Sequence, residues 1–379
     1  MAKNTSASPE PSRYKVFEVL ECGSPHGVGR QIAELCEHLH REKFELWVVY
    51  SVRPGFTPEE FEKLTHKAHR HVYIPEMARP VHPLKDLLAF WKLYRLIRKE
   101  NPDVVHAHSS KAGVLARLAA RLAGVKKIYY SPHGYSFLMT DVSSFSRGLY
   151  RGFELSVSWI GHVISTSKAE TEAARSLSWG KEVFHVDKLF SMEEDFQGNP
   201  SSADGAVTIG ALGRLSYARQ PEVFIRLAKE LSQKYPQARF VWIGGGEMES
   251  SILELARNQG LDSRVEFTGH IPRKAVLARL RQMDIFIHYS RWDSSPVAIQ
   301  EAMYFAKPVI ASDISGNRDL VIHGETGYLA KDENELCEYV SRLIESAALR
   351  TGMGAKGRDR LRKEFALEKS VEALERLYL

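Results

Sequence analysis

Twice along the chain, short apolar strand-like runs alternate with stretches of helical periodicity, a pattern that parallel sheets wrapped by helices satisfy. In the first half the runs at 14–20, 44–50, 71–74, 104–106, 128–131 and 162–165 read as strands, with helices between them at positions such as 29–39, 83–100 and 112–123. Residues 192–206 (MEEDFQGNPSSADGA) have turn and linker composition without an apolar period, and mark a boundary. Beyond them the plan repeats, with strands expected at 207–212, 240–243, 265–268, 285–288 and 308–311 and helices at 221–234, 247–259, 273–283 and 297–306. The fold class is therefore α/β, with two doubly wound Rossmann-like domains spanning 13–191 and 207–356 and a last amphipathic stretch at 357–379.

Length and composition agree with two domains, each able to bury a core: 379 residues, 44% hydrophobic and 26% charged, the balance of a soluble globular protein. No run is long enough to span a bilayer and the first residues lack a signal-peptide core, so a cytoplasmic protein is expected, with residues 1–12 as a disordered arm. Cys22, Cys36 and Cys337 are scattered and lack metal-ligand spacing, which reads as reduced thiols. A net charge of +5 is mild, but Lys92, Arg95, Arg98, Lys99, Lys111, Arg117, Arg121 and Lys126 crowd one stretch of the first half. Such a surface suits anionic lipid head groups at the inner face of a plasma membrane, or an anionic acceptor. Nucleic acid is the weaker partner, because no recognition motif accompanies the charge. The helix at 83–100 interleaves Leu87, Leu88, Phe90, Trp91, Tyr94, Leu96 and Ile97 with cations. It reads either as a membrane-surface helix or, preferred here, as a core-facing crossover helix with solvated cations.

The densest chemistry lies in residues 292–329, WDSSPVAIQEAMYFAKPVIASDISGNRDLVIHGETGYL. Asp293 ends a loop, an apolar helix starts near Val297, and Glu301 follows on that helix eight positions after Asp293. A buried strand at 308–311 and a Gly/Asn/Asp turn at 315–319 complete the unit. Two carboxylates at one helix suit the hydroxyls of a polyol, and the helix N-terminus offers amides to a phosphate. The segment resembles the donor-site motif of the retaining family-4 glycosyltransferases of GT-B fold: Glu, seven residues, Glu, then Ala-Met-x-x-Gly-x-Pro-Val-Ile-Ala-Ser. Asp293 stands here for the first Glu and Ala306 for the usual Gly, while Glu301, Ala302, Met303, Pro308, Val309, Ile310, Ala311 and Ser312 match.

The resemblance implies that two such domains face each other across a cleft and that 357–379 is a helix crossing back onto the first domain. It makes the donor a nucleoside diphosphate sugar, UDP-linked in preference, with no cofactor and no metal. Acceptors in that family range from lipid-linked glycans to small molecules, and the basic first half tilts the expectation toward a glycan or lipid-linked glycan of bacterial polysaccharide synthesis. Glu301 would hold the ribose, Asp293 would lie against the donor sugar, and Ser294, Ser295, Pro296 and Val297 would join the nucleotide-sugar site. After the first strand of the second domain, Gly213-Arg214-Leu215-Ser216-Tyr217-Ala218-Arg219-Gln220 resembles the family's Gly-Arg-Leu…Lys-Gly turn. Arg214 and Arg219 would grip the diphosphate, whose charge grows as the glycosidic bond breaks. Arg219 replaces a Lys and Gln220 a Gly.

In the first domain, Gly27 lies in a loop resembling the Gly-Gly-Val phosphate loop, with His26 in place of its first Gly. His133, at the end of a strand, matches the family's His-Gly position, where a neutral imidazole can donate to a donor-sugar hydroxyl. His270 and Ile271 are expected near the base, and the loop 244–247 is expected to line the cleft. His106 and His108 share a strand face with no acid partner at ligand spacing, so packing is preferred over a metal. Lys168 is expected to be an exposed lysine rather than an acceptor contact. No carboxylate stands at nucleophile spacing for a double displacement, which favours same-face attack with retention. An epimerase of the same fold and a non-catalytic sugar-nucleotide-binding subunit are the alternatives; a phosphorylase would need a cofactor lysine that is not evident.

Overall fold

The structure, a computed structural model, describes residues 13–25, 27–79, 81–138, 143–192 and 205–379. The expected arm at 1–12, His26 and nearly all of the expected linker lie outside the described residues. The first sheet contains β1 (Tyr14–Gly23), β2 (Phe44–Val52), β3 (Arg70–Tyr73), β4 (Val104–His108), β5 (Lys127–Ser131), β6 (His162–Ser165) and β7 (Val183–His185). The second contains β8 (Thr208–Leu212), β9 (Arg239–Ile243), β10 (Val265–Phe267), β11 (Ile285–His288), β12 (Val309–Ser312) and β13 (Gly327–Ala330). Their orders are β3-β2-β1-β4-β5-β6-β7 and β10-β9-β8-β11-β12-β13, and every pairing is parallel.

Both sheets are covered by helices on two faces, which is why their strands read as nearly continuous apolar runs. β1 and β4 are buried almost throughout, and β11 and β12 entirely. Strand order reverses between β1 and β4 and between β8 and β11. At such switch points the helices leave the sheet in opposite directions and open a crevice at the carboxyl ends of the strands. The two crevices hold the loops carrying most of the expected site residues.

Several elements differ from the sequence reading. β7 and β13 are additional strands, each too short to stand out as an apolar run. The expected turn at 315–319 is a helix, Ser315–Leu320, anchored by the buried Asn317 amide donating to the Ser312 carbonyl (2.9 Å) and hydroxyl (3.1 Å). The C-terminal stretch expected as one helix from Gly357 is two. Ala347–Glu364 packs on the second domain, and only Leu367–Tyr378 crosses to the first. There Leu367, Val371, Leu374 and Tyr378 join Val16, Leu20 and Phe44 in one core. The helix Pro83–Glu100 is core-facing on one stripe, where Ala89, Leu93 and Ile97 join the first-domain core, while Leu84, Leu87, Leu88 and Trp91 stay exposed.

Candidate active site

The second-domain switch point is built from tight backbone turns. A Cβ on Gly244 (φ +120°) would lie 2.3 Å from the Gly213 carbonyl oxygen, so β8 and β9 can end this close together only with glycine there. Gly316 likewise lets the helix Ser315–Leu320 press against the Asp293 and Ser294 carbonyls, where a Cβ would come within 2.2 Å. These approaches fix the loop from Trp292 to Pro296 against β11.

Inside that loop Asp293, 12% exposed at its side chain, accepts from the Arg219 guanidinium, and Arg219 Nη1 also donates to His288 Nε2 at 2.8 Å. Because a guanidinium only donates, His288 Nε2 is the acceptor in that contact, and the same Nε2 also lies 3.2 Å from Asp293 Oδ2. Burial, then the Arg219 charge, pushes the His288 imidazole below its ordinary range. Burial alone would raise the Asp293 carboxyl, but Arg219, His288 and Lys188 together hold it well below the usual carboxylate range. Lys188, from the first domain, donates to the Ser295 carbonyl at 2.9 Å. The result is a buried, charge-alternating cluster at the end of β11.

Glu301, one face along the helix Val297–Tyr304, is buried and bonded to Arg273 Nη1 at 2.5 Å. Burial pushes its carboxyl up, and Arg273 and then Arg30 of the first domain offset this. Arg214 stands apart from the cluster: its side chain is 64% exposed and pairs with Glu247 at 3.1 Å. Expected as twin cations, Arg214 and Arg219 thus occupy different settings. His270, exposed, lies against Gly245, and Ile271 packs on the second-domain core. A bridge between Gly244 and Gly269 joins their two loops.

From the first domain, Gly27 (φ +56°) caps the helix Val28–His38, and a Cβ on Gly29 would strike the Ser24 carbonyl at 2.0 Å. His133 adopts φ +54°, costly for a residue with a Cβ, and Gly134 beside it faces Ser294. The backbone amide of Lys168, an exposed side chain, donates to Asp319 of the second domain at 2.7 Å. These contacts bring the two crevices together.

The reading of His106 and His108 needs correction, because an acid does partner them. Parallel pairing sets Glu18 of β1 beside His106 of β4, and Glu18 Oε2 lies 2.5 Å from His108 Nε2 and 3.3 Å from His106 Nδ1. Among the described residues these three offer metal-type atoms within 4.8 Å of one another. The atoms are already bound to each other or to Tyr378, whose hydroxyl donates to Glu18 Oε1 at 2.8 Å and lies 2.6 Å from His106 Nδ1. The adjoining cavity, about 30 Å³, has room for about two waters. This is a satisfied hydrogen-bond network.

Sequence reasoning also missed Lys188, Arg273 and His288. His288 carried a signal as the last residue of a switch-point strand. Lys188 and Arg273 carried none, since their partners come from distant elements.

Two doubly wound domains with facing switch points define the GT-B class. Residues 25–183 match the family described as glycosyltransferase family 4, and residues 192–360 match the glycosyl transferases group 1. The chain belongs to these glycosyltransferases, enzymes that take their sugar from a nucleotide-sugar donor. It is 27% identical, over 97% of both chains, to an Escherichia coli UDP-Gal:alpha-D-GlcNAc-diphosphoundecaprenol alpha-1,3-galactosyltransferase. It is 25% identical, over 88% of each, to a GDP-mannose-dependent alpha-mannosyltransferase of Mycolicibacterium smegmatis. In fold it is similar to Anabaena Alr3699/HepE solved with UDP and glucose (TM-score 0.76, 19% identity, 96% of this chain and 99% of that one).

Proposed function

We propose that this enzyme moves a hexose from a UDP-sugar to a hydroxyl of a lipid-linked glycan, with retention at the anomeric carbon. The observation that carries the reading is the Arg219–His288–Asp293 cluster at the end of β11, facing the first-domain loops. In this reading Arg219, Arg214, the Gly27 loop and the start of the helix Val297–Tyr304 bind the diphosphate. Their charge stabilises the leaving group most when the glycosidic bond breaks, which accelerates the step rather than merely binding the donor. We assign this countercharge to arginines and amides, not to a bound metal.

Asp293, kept ionised by Arg219, lies against the donor sugar, where a carboxylate stabilises an oxocarbenium-like centre. Glu301 takes the ribose hydroxyls, Ser294 and Ser295 line the pyrophosphate turn, and His270 and Ile271 flank the base. The acceptor attacks from the face the diphosphate leaves, and a donor phosphate oxygen takes its proton. The UDP preference follows the Escherichia coli relative and the Anabaena complex. The relatives reported above are transferases, which leaves the epimerase and the non-catalytic subunit without support.

An anionic membrane is the proposed site of work. Among the described residues no helix is long and apolar enough to cross a bilayer. The helices Pro83–Glu100 and Ser144–Val157, both packed on Ser110–Ala123, expose Leu84, Leu87, Trp91 (48% exposed), Phe145, Leu149 and Phe153 beside Lys92, Arg95, Arg98 and Arg151. Apolar and aromatic side chains flanked by cations fit the boundary between acyl chains and anionic head groups.

Thermal shift with UDP, GDP and ADP tests the donor, since a ligand of the native state raises the melting temperature. UDP should shift wild type and not Arg219→Ala. Flotation with phosphatidylglycerol vesicles should be lost in Trp91→Glu/Phe153→Glu, and equal flotation with purely zwitterionic vesicles would remove the charge argument.

A further inference from the structure

We infer that Glu18 and His108 are positioning residues that lock His133 in one tautomer, its Nδ1 presented as a hydrogen-bond acceptor to a hydroxyl of the donor sugar. The inference rests on the donor-site reading above and deepens it.

The assignment follows from counting protons along a buried chain. Burial would neutralise Glu18, but the adjacent His106 and His108 hold its carboxyl well below the usual range, so it only accepts. Its Oε1 takes the Tyr378 hydroxyl at 2.8 Å. Its Oε2 takes His108 Nε2–H at 2.5 Å. His108 is pushed down to about 4 by burial and by His106, so the ring is neutral near pH 7 and its Nδ1 carries a bare lone pair. At 2.9 Å from that lone pair lies His133 Nε2, which must therefore carry the proton. Burial, His108 and Lys188 push His133 well below its ordinary range, so it too is neutral and its Nδ1 is bare. That Nδ1 is buried and has no hydrogen-bond partner.

A buried acceptor is costly to leave unpaired, so a substrate group that meets this Nδ1 must bring a proton. A diphosphate oxygen has no proton to give, whereas a sugar hydroxyl has one. The geometry thus reverses the role expected from the sequence, in which His133 donates. It also states a specificity: the donor sugar must carry a hydroxyl where it meets His133, and a deoxy centre or a carboxylate there leaves Nδ1 unsatisfied. The strained backbone at His133 (φ +54°) leads into Gly134, which faces Ser294 of the second domain.

The test begins with ¹⁵N- and ¹³C-histidine NMR of the full chain with UDP at pH 7.5. The Nε2–H tautomer is expected for His133 and for His108, and the Nδ1–H form of either would overturn the proposal. His133→Asn, which keeps an acceptor near Nδ1, should turn over UDP-galactose within about tenfold of wild type. His133→Gln, which mimics Nε2 instead, should lose roughly 30-fold or more in kcat/KM. Equal losses in both would refute the Nδ1 role.

For positioning, Glu18→Gln should populate the Nδ1–H form of His133 and lower kcat/KM for UDP-galactose by about 10- to 100-fold, with UDP affinity unchanged. Among analogues deoxygenated one hydroxyl at a time, one should react equally with wild type and Glu18→Gln. A uniform loss across every analogue would mean a structural role only. If Glu18→Gln does not fold, the wild-type tautomer and the Asn/Gln pair still decide. Normal UDP binding with the wrong tautomer sinks this inference alone, whereas no nucleotide binding sinks the donor-site reading beneath it.

Discussion

Removing Arg219 should separate what holds the site together from what it does. Arg219→Met leaves the Asp293 carboxylate, 12% exposed, without the guanidinium it accepts from. A buried charge stripped of its partner costs about 3–5 kcal/mol. Arg219 is itself 28% exposed and Lys188 still acts on Asp293, so the loss should be smaller, about 2–3 kcal/mol. For a domain of this size that is a fall of roughly 5–10 °C in Tm. Asp293→Asn alone strands a cation that can reach water and should cost about 1 kcal/mol. Combined, the two changes remove both charges. The double variant should sit within about 1 kcal/mol of wild type, a coupling of about 2 kcal/mol between the sites. Function should not recover with stability. A charge-assisted contact to diphosphate is worth about 1.5–3 kcal/mol, so UDP should bind roughly 10- to 150-fold more weakly in both variants lacking Arg219. Melting curves at pH 7.5 and calorimetric UDP titrations measure both quantities. Additive losses in the double variant would refute the ion-pair argument, and undiminished UDP affinity in Arg219→Met would refute the diphosphate role.

Glu301→Gln should leave unliganded stability unchanged or raise it by up to about 1 kcal/mol while weakening UDP about tenfold or more. Burial raises the folded-state pKa of Glu301, so its contribution to stability is present at low pH and lost as pH rises, and the ionised form is a cost at neutral pH. Histidine burial has the opposite pH sign. With His108 pushed down to about 4 from an ordinary 6.5, unfolding takes up a proton between those values, and stability should fall on acidification across that window, by about 3 kcal/mol from this group. The raised carboxyls of Glu170 and Glu301 oppose the fall near its acid end. Urea unfolding at pH 7.5, 6 and 5 reads the slope, which His108→Gln should reduce by about one proton. Ala306 occupies a left-handed φ of +51°, so Ala306→Gly should stabilise by about 0.5–1 kcal/mol once glycine's own entropy is set against the relieved strain. A lower Tm for that variant would show that the Ala306 methyl packs usefully.

How much of this was legible in the sequence depends on how far apart the interacting residues lie along the chain. Local patterns were legible: the doubled alternation that makes two parallel sheets, the strand ends that become loops, and the spacing that puts Asp293 before a helix and Glu301 on it. The two departures from the family pattern at Gln220 and Ala306 were legible as substitutions, but only the backbone shows that both fall at positive φ, the conformation that makes glycine the usual residue there. Pairings set by parallel registry were not legible. Glu18 meets His106 because β1 lies beside β4, and no spacing within either strand announces an acid some ninety positions away. Tyr378 reaches the same carboxylate from the last turn of the chain. Charge partners carry the same limit. A basic turn offers two cations, but the acids they meet, Asp293 for Arg219 and the surface Glu247 for Arg214, are not written in the turn. Helical periodicity found the helix Pro83–Glu100 but not which stripe would face the sheet, because the apolar residues cover more of its circumference than one core contact can bury. What remains exposed after the core is satisfied is what a second phase can bind.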